Sequence, residues 1–82
     1  MKKTYAMYKA AVAEYDKIMA EQIENTPDKV EAWFKRCDEA CTEVEKYEEP
    51  ILNFIERFCK VERHVAIKVL ENPKFEEIVA LA

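Results

Sequence analysis

The sequence contains neither glycine nor serine. Without glycine the chain has no cheap route into the left-handed region of backbone space. That excludes hairpins closed by an Asn-Gly turn, and it excludes a Gly-rich phosphate loop. Without serine there is no serine nucleophile, and the two absences together exclude a flexible Gly/Ser linker. Also missing is any apolar run near the roughly 18 residues a membrane helix needs, so no membrane partner is expected.

Charge and cysteine are present but modest. A formal net charge of −4 is too mild for a general polyanion mimic. It has the wrong sign for a chain whose main task is to hold nucleic acid, so that class is disfavoured. The 3 cysteines, Cys37, Cys41 and Cys59, are odd in number and irregular in spacing, which is not a disulfide framework. The reducing cytoplasm is the expected home. Met1-Lys2-Lys3 opens as a signal peptide would, but Lys9 and Glu14 interrupt the apolar stretch, and no secretory signal is expected.

With 82 residues the chain is read as one helical domain over 1–82. A hydrophobic share of 50% beside a charged share of 37% is the balance of a folded globule, not of a disordered chain. A domain of this size buries only about 60–65% of its unfolded surface. Its stability margin is thin, and self-association or a partner would matter.

Apolar residues recur at helical spacing throughout. Tyr5, Tyr8, Val12, Tyr15, Met19 and Ile23 predict a first helix from Lys3 to Glu24. Thr26-Pro27-Asp28 combines an N-cap residue, a proline suited to the first helical position and an acid that complements the dipole. A second helix is expected from Pro27 to Glu48, burying Val30, Trp33, Phe34, Cys37, Ala40, Cys41, Val44 and Tyr47. Pro50 removes a hydrogen-bond donor and disfavours helical geometry at Glu49, so a turn or kink is expected there. A third helix is expected from Pro50 to Glu71, with Ile51, Leu52, Phe54, Ile55, Phe58, Cys59, Val61, Val65, Ala66, Val69 and Leu70 on its apolar side. Asn72-Pro73 restarts a short fourth helix, from Lys74 to Leu81, with Phe75, Ile78 and Val79 on one face.

The fold class is therefore all-α. Three helices of about 22 residues, each about 33 Å long, with short joints favour an antiparallel three-helix bundle with a short C-terminal fourth helix. The alternative is one long kinked helix over 28–71 that dimerises to bury its apolar face. The fourth helix either folds back on the bundle, the favoured reading, or docks elsewhere. A helix so short is not stable alone.

Several features are candidates for function. Arg57, Lys60, His64 and Lys68 recur at spacings of three and four, forming a basic stripe on the third helix. From Asp38 to Glu49 the chain has six acids and one base. Both read first as solvated faces, where ion pairs contribute about 0–1 kcal/mol each. The functional alternatives are an acidic protein partner for the stripe and a basic one for the acidic segment. Nucleic acid is a weaker alternative, since no aromatic sits among those charges to stack on bases.

Glu62 falls within the apolar face of the third helix and Ile67 within its polar face. A bend near residues 60–62 would return both to ordinary surroundings, and a tyrosine hydroxyl or Arg36 could otherwise satisfy Glu62. The sharper reading makes Ile67 part of an exposed binding patch with His64 and Lys68. Cys37 and Cys41 lie one turn apart, but with Cys59 and His64 they match no closed zinc site, and core packing is expected of all three thiols. Tyr5, Tyr8 and Tyr15 are expected in the core, and the alternative leaves Tyr5 and Tyr8 half covered and open to a partner.

No nucleophile–base pair, HExxH motif or Glu-x-x-His pair occurs. An enzyme is not expected, nor is a cofactor, a metal or a small-molecule substrate. The expected function is a stoichiometric protein-binding module: a regulator, adaptor or inhibitor of a larger protein. That style also suits a small viral protein that blocks a host factor. The candidate contact surface is Arg57, Lys60, His64, Ile67 and Lys68, with Asp38, Glu39, Glu43 and Glu45 second. A structural homo-oligomer, in its simplest form a homodimer, is the alternative.

Overall fold

The protein is described by a computed structural model covering residues 1–81, with side chains through Ala80. It is all-α: α1 is Lys2–Met19, α2 Pro27–Cys59, α3 Arg63–Glu71 and α4 Phe75–Leu81. Among the described residues there is no strand.

The spine is α2. Its 33 residues extend about 50 Å at the helical rise, which accounts for the 47 Å long axis of the molecule. The helix runs straight through Pro50, so the expected reversal there does not occur. An interior proline costs about 3 kcal/mol. Immediately beyond it, Ile51, Leu52 and Ile55 are 0%, 3% and 1% exposed, and burying each aliphatic side chain contributes about 1.5–3 kcal/mol. Burial outweighs the proline.

The chain reverses instead at Lys60-Val61-Glu62. Lys60 closes α2 in the left-handed conformation, at φ 55° and ψ 48°. That position usually falls to glycine, and this sequence has none to offer. Val61 packs against the core. Glu62 is the N-cap of α3, and its carbonyl accepts hydrogen bonds from the Val65 and Ala66 amides at 3.1 and 2.9 Å. The expected bend near 60–62 is thus a full break. It takes Glu62 off any apolar face and leaves it exposed.

At the other turn α1 ends at Met19 rather than Glu24. The Trp33 indole N–H donates to the Ile18 carbonyl at 2.9 Å, satisfying one of the acceptors that a helix end leaves open. Arg36 grips both carboxylate oxygens of Glu21 at 2.7 and 2.8 Å. These bonds fix α1 antiparallel to the first half of α2. Thr26 and Pro27 start α2 as expected, the Thr26 carbonyl accepting from the Val30 amide at 2.9 Å.

The core lies at one end. It consists of Ile51, Leu52 and Ile55 from α2, Ala66 and Leu70 from α3, and Phe75 and Val79 from α4. Met1, Tyr5 and Tyr8 pack against it. The fourth helix folds back: Phe75 meets the Tyr5 ring edge-on, 5.2 Å between centroids, and Lys9 on α1 pairs with Glu76. At the opposite end only α1 and α2 are present. Of their side chains there, Ile18 and Ala40 alone are buried among the described residues. A compact chain of this length has a radius of gyration near 12 Å, against 15.3 Å here. The molecule is an antiparallel helical pair thickened to four helices at one end.

Several side chains expected in the core are outside it. Phe58 and Phe34 are 68% and 58% exposed and Met19 is 47% exposed. Phe58 stacks on Phe54 with ring centroids 5.5 Å apart. Cys59 is exposed as well, because α2 ends there and no helix passes beyond it.

Candidate functional site

The helix break divides the basic stripe. Arg57 lies in the last turn of α2 and Lys60 at its cap, whereas His64 and Lys68 belong to α3. The four do not share one helical face. His64, Ile67 and Lys68 do stay together on α3 at spacings of three and four, and all three are exposed. His64 Nδ1 lies 3.4 Å from the Glu62 carboxylate. Arg63 is held against α2 instead, through Glu49, Glu56 and Asn53 at 2.9–3.4 Å.

The acidic segment also separates into two edges. Asp38 and Glu45, seven residues apart, lie on one side of α2, and Cys41 sits beside them with Sγ 3.8 Å from a Glu45 oxygen. Burial, then the Glu45 carboxylate, pushes the Cys41 thiol above its ordinary value, which favours the unreactive protonated form. The Cys37 thiol lies 3.6 Å from the Met19 sulfur. Both thiols are half-buried. No group of three or more His, Cys, Asp or Glu side chains that could hold a metal ion occurs among the described residues.

Glu39 and Glu43 face the other way, into a trough between α1 and α2. Met7, Ala10 and Ala11 from α1 and Ala40 and Tyr47 from α2 form its apolar floor, with Glu14 and Glu43 on its walls and a volume of about 330 Å³. A second hollow of about 240 Å³, bounded by Ile18, Arg36 and Glu39, continues it and shares Glu14, Ala40 and Glu43. The alanines among the lining residues leave the trough open. Larger side chains at Ala10, Ala11 and Ala40 would fill it. No salt bridge involves Glu14, Glu39 or Glu43 among the described residues, and Arg36, the one cation lining either hollow among the described residues, is held by Glu21.

Sequence reasoning missed Met7, Ala10 and Ala11. The available signal was Ala6, Ala10 and Ala13 on the side of α1 away from its aromatic row, where a solvated helix face would carry charge.

No protein-family model matches this chain, and no curated protein or solved structure matches it. No helix among the described residues is long and apolar enough to cross a membrane.

Proposed function

We propose that this chain is a stoichiometric protein-binding module, a small regulator, adaptor or inhibitor that acts by occupying a face of a larger protein. One observation carries the reading: the helical pair leaves the large apolar side chains Phe34 and Met19 exposed, and an apolar-floored trough that includes the exposed Met7 stays open between α1 and α2. Aromatic side chains and methionine are enriched at protein–protein contacts over the rest of a protein's surface. The reading includes no catalysis. The lone His64 sits on an exposed helix face beside Glu62. Three free thiols suit a reducing compartment, so the cytoplasm is proposed as the site of action.

Tagged protein in a native lysate, with and without nuclease, tests this. A partner recovered near one-to-one and resistant to nuclease is expected. Recovery of the protein's own copies alone, with a dimer in sedimentation equilibrium, would replace the reading with a homo-oligomer. Loss of all bound material on nuclease treatment would replace it with a nucleic-acid role for the basic residues.

A further inference from the structure

Resting on the protein-binding reading, we infer that the α1–α2 trough is the docking site and that its occupant is a basic amphipathic helix. The floor of Met7, Ala10, Ala11, Ala40 and Tyr47 is apolar, and its alanines leave the space above it open. Small side chains let another helix approach closely, and a ridge of larger apolar side chains would fill the space they leave. From Met7 to Ile18 the trough follows α1 for about 17 Å, or about three turns. A helix in a groove reads as anchors at spacings of three, four and seven, and a site of this length takes a set of that kind.

Charge selects among occupants. Glu14, Glu39 and Glu43 stand on the walls without salt bridges, and Arg36 is engaged by both oxygens of Glu21. A second copy docking by the same trough in a two-fold arrangement would bring both sets of these acids into one interface, and like charges in a closing interface oppose association. An acidic helix meets the same repulsion. Lysine or arginine flanking an apolar stripe instead places cations on the walls and leucine-like side chains on the floor. In this arrangement the second candidate surface is split by function: Glu39 and Glu43 face the ligand, while Asp38 and Glu45 do not.

The probe is a synthetic helix of about 18 residues, with leucine at spacings of three and four and lysine elsewhere, labelled for fluorescence anisotropy. Its counterpart carries glutamate in place of lysine. The lysine peptide is expected to bind the full chain one-to-one and more weakly as salt rises. Ala10→Trp, an exposed position that fills the floor, and the double substitution Glu14→Lys/Glu43→Lys are each expected to weaken it by about tenfold or more. Circular dichroism checks that both variants fold. Equal binding of the two peptides, or unchanged affinity in both folded variants, would overturn the inference. So would a dimer that Ala10→Trp dissociates, because the occupant would then be a second copy. A lysate partner retained by Ala10→Trp but lost from Ile67→Lys would remove the trough and leave the protein-binding reading standing. Saturable lysine-peptide binding at the trough with no partner recovered from lysate would support the site and count against that broader reading.

Discussion

The two ends of this molecule are built from equally patterned helices and yet differ in kind. At the four-helix end Ile51, Leu52, Ile55, Ala66, Leu70, Phe75 and Val79 form one buried cluster. At the two-helix end the same α1 and α2 bury only Ile18 and Ala40 among the described residues. Apolar pattern does not explain the difference, since Val30, Trp33, Phe34 and Val44 continue the α2 stripe to its start. Layer number does. Two helices alone cover only a seam on each other, and a core needs a further layer across it. The helices that supply that layer have 9 and 7 residues, about 14 and 11 Å long. They reach less than a third of the way along α2, and where they stop the core stops.

Phe75→Ala gives the sharpest separation of the ends. Phe75 is almost wholly buried and touches α1 through Tyr5. Its loss is expected to cost about 3–5 kcal/mol, a large part of the stability of so small a domain. Phe34→Ala, the same chemical change at the thin end, is expected to stay within about 0.5 kcal/mol, as other exposed substitutions do. Urea denaturation of the two variants measures both. Equal losses would mean that the thin end carries packing its exposure hides.

Two backbone substitutions near the junction of the ends come next. Pro50→Ala restores a helical hydrogen bond and removes the clash with the preceding turn, and is expected to stabilise by about 1–3 kcal/mol. If thermal melting shows a loss instead, the proline's own geometry is needed to set Ile51 and Leu52 against α3. Lys60→Gly relieves a left-handed residue that bears a Cβ, and is expected to raise stability by about 0.5–1 kcal/mol. An unchanged Tm would show that Lys60 gains as much from its surroundings as its backbone loses.

Both positions also show how far the sequence could be read. The helical class, the Thr26-Pro27 start and the return of Phe75 and Val79 to the core were legible, because each rests on local pattern. The break was misplaced because a local rule met a tertiary one. Proline at position 50 is a strong local signal, yet Ile51, Leu52 and Ile55 gain more by staying helical. With no glycine in the sequence, nothing marked the position of a left-handed reversal. Only the misfits of Glu62 in the apolar face and Ile67 in the polar face pointed to residues 60–62.

The surfaces were less legible than the fold. A wheel drawn through residues 57–68 assumes one helix, so the stripe of Arg57, Lys60, His64 and Lys68 dissolved with the break, and only His64, Ile67 and Lys68 kept their common face. On unbroken α2 the four acids of the second candidate surface fall on two sides, Glu39 and Glu43 on one and Asp38 and Glu45 on the other. The trough that Glu39 and Glu43 border was invisible because α1 and α2 line it together, and a single-helix pattern does not report what its neighbour places opposite.

The smallest expected effect is one of alkaline pH, and it too distinguishes the ends. At the four-helix end burial, then the Glu48 and Glu71 carboxylates, raises the Tyr8 phenol above its ordinary value of 10.0. The folded state therefore holds this proton more tightly than the unfolded one. That contribution is complete below about pH 10 and is lost as pH rises through the folded value. The Lys9 ammonium, held by its hydrogen bond to Glu76, is raised from 10.5 and acts with the same sign in the same window. At the two-helix end the raised group is Cys41, whose window opens lower, from the ordinary thiol value of 9.0. In melts between about pH 8 and 11, Tyr8→Phe is expected to flatten the fall in Tm at the top of the range, and Cys41→Ala a smaller part of the fall below it. Tyr8 is covered by the packing around α3 and α4, whereas Cys41 has only the helical pair around it, so the tyrosine should dominate. An alkaline loss that survives Tyr8→Phe intact would mean that the four-helix end shields α1 no better than the thin end does.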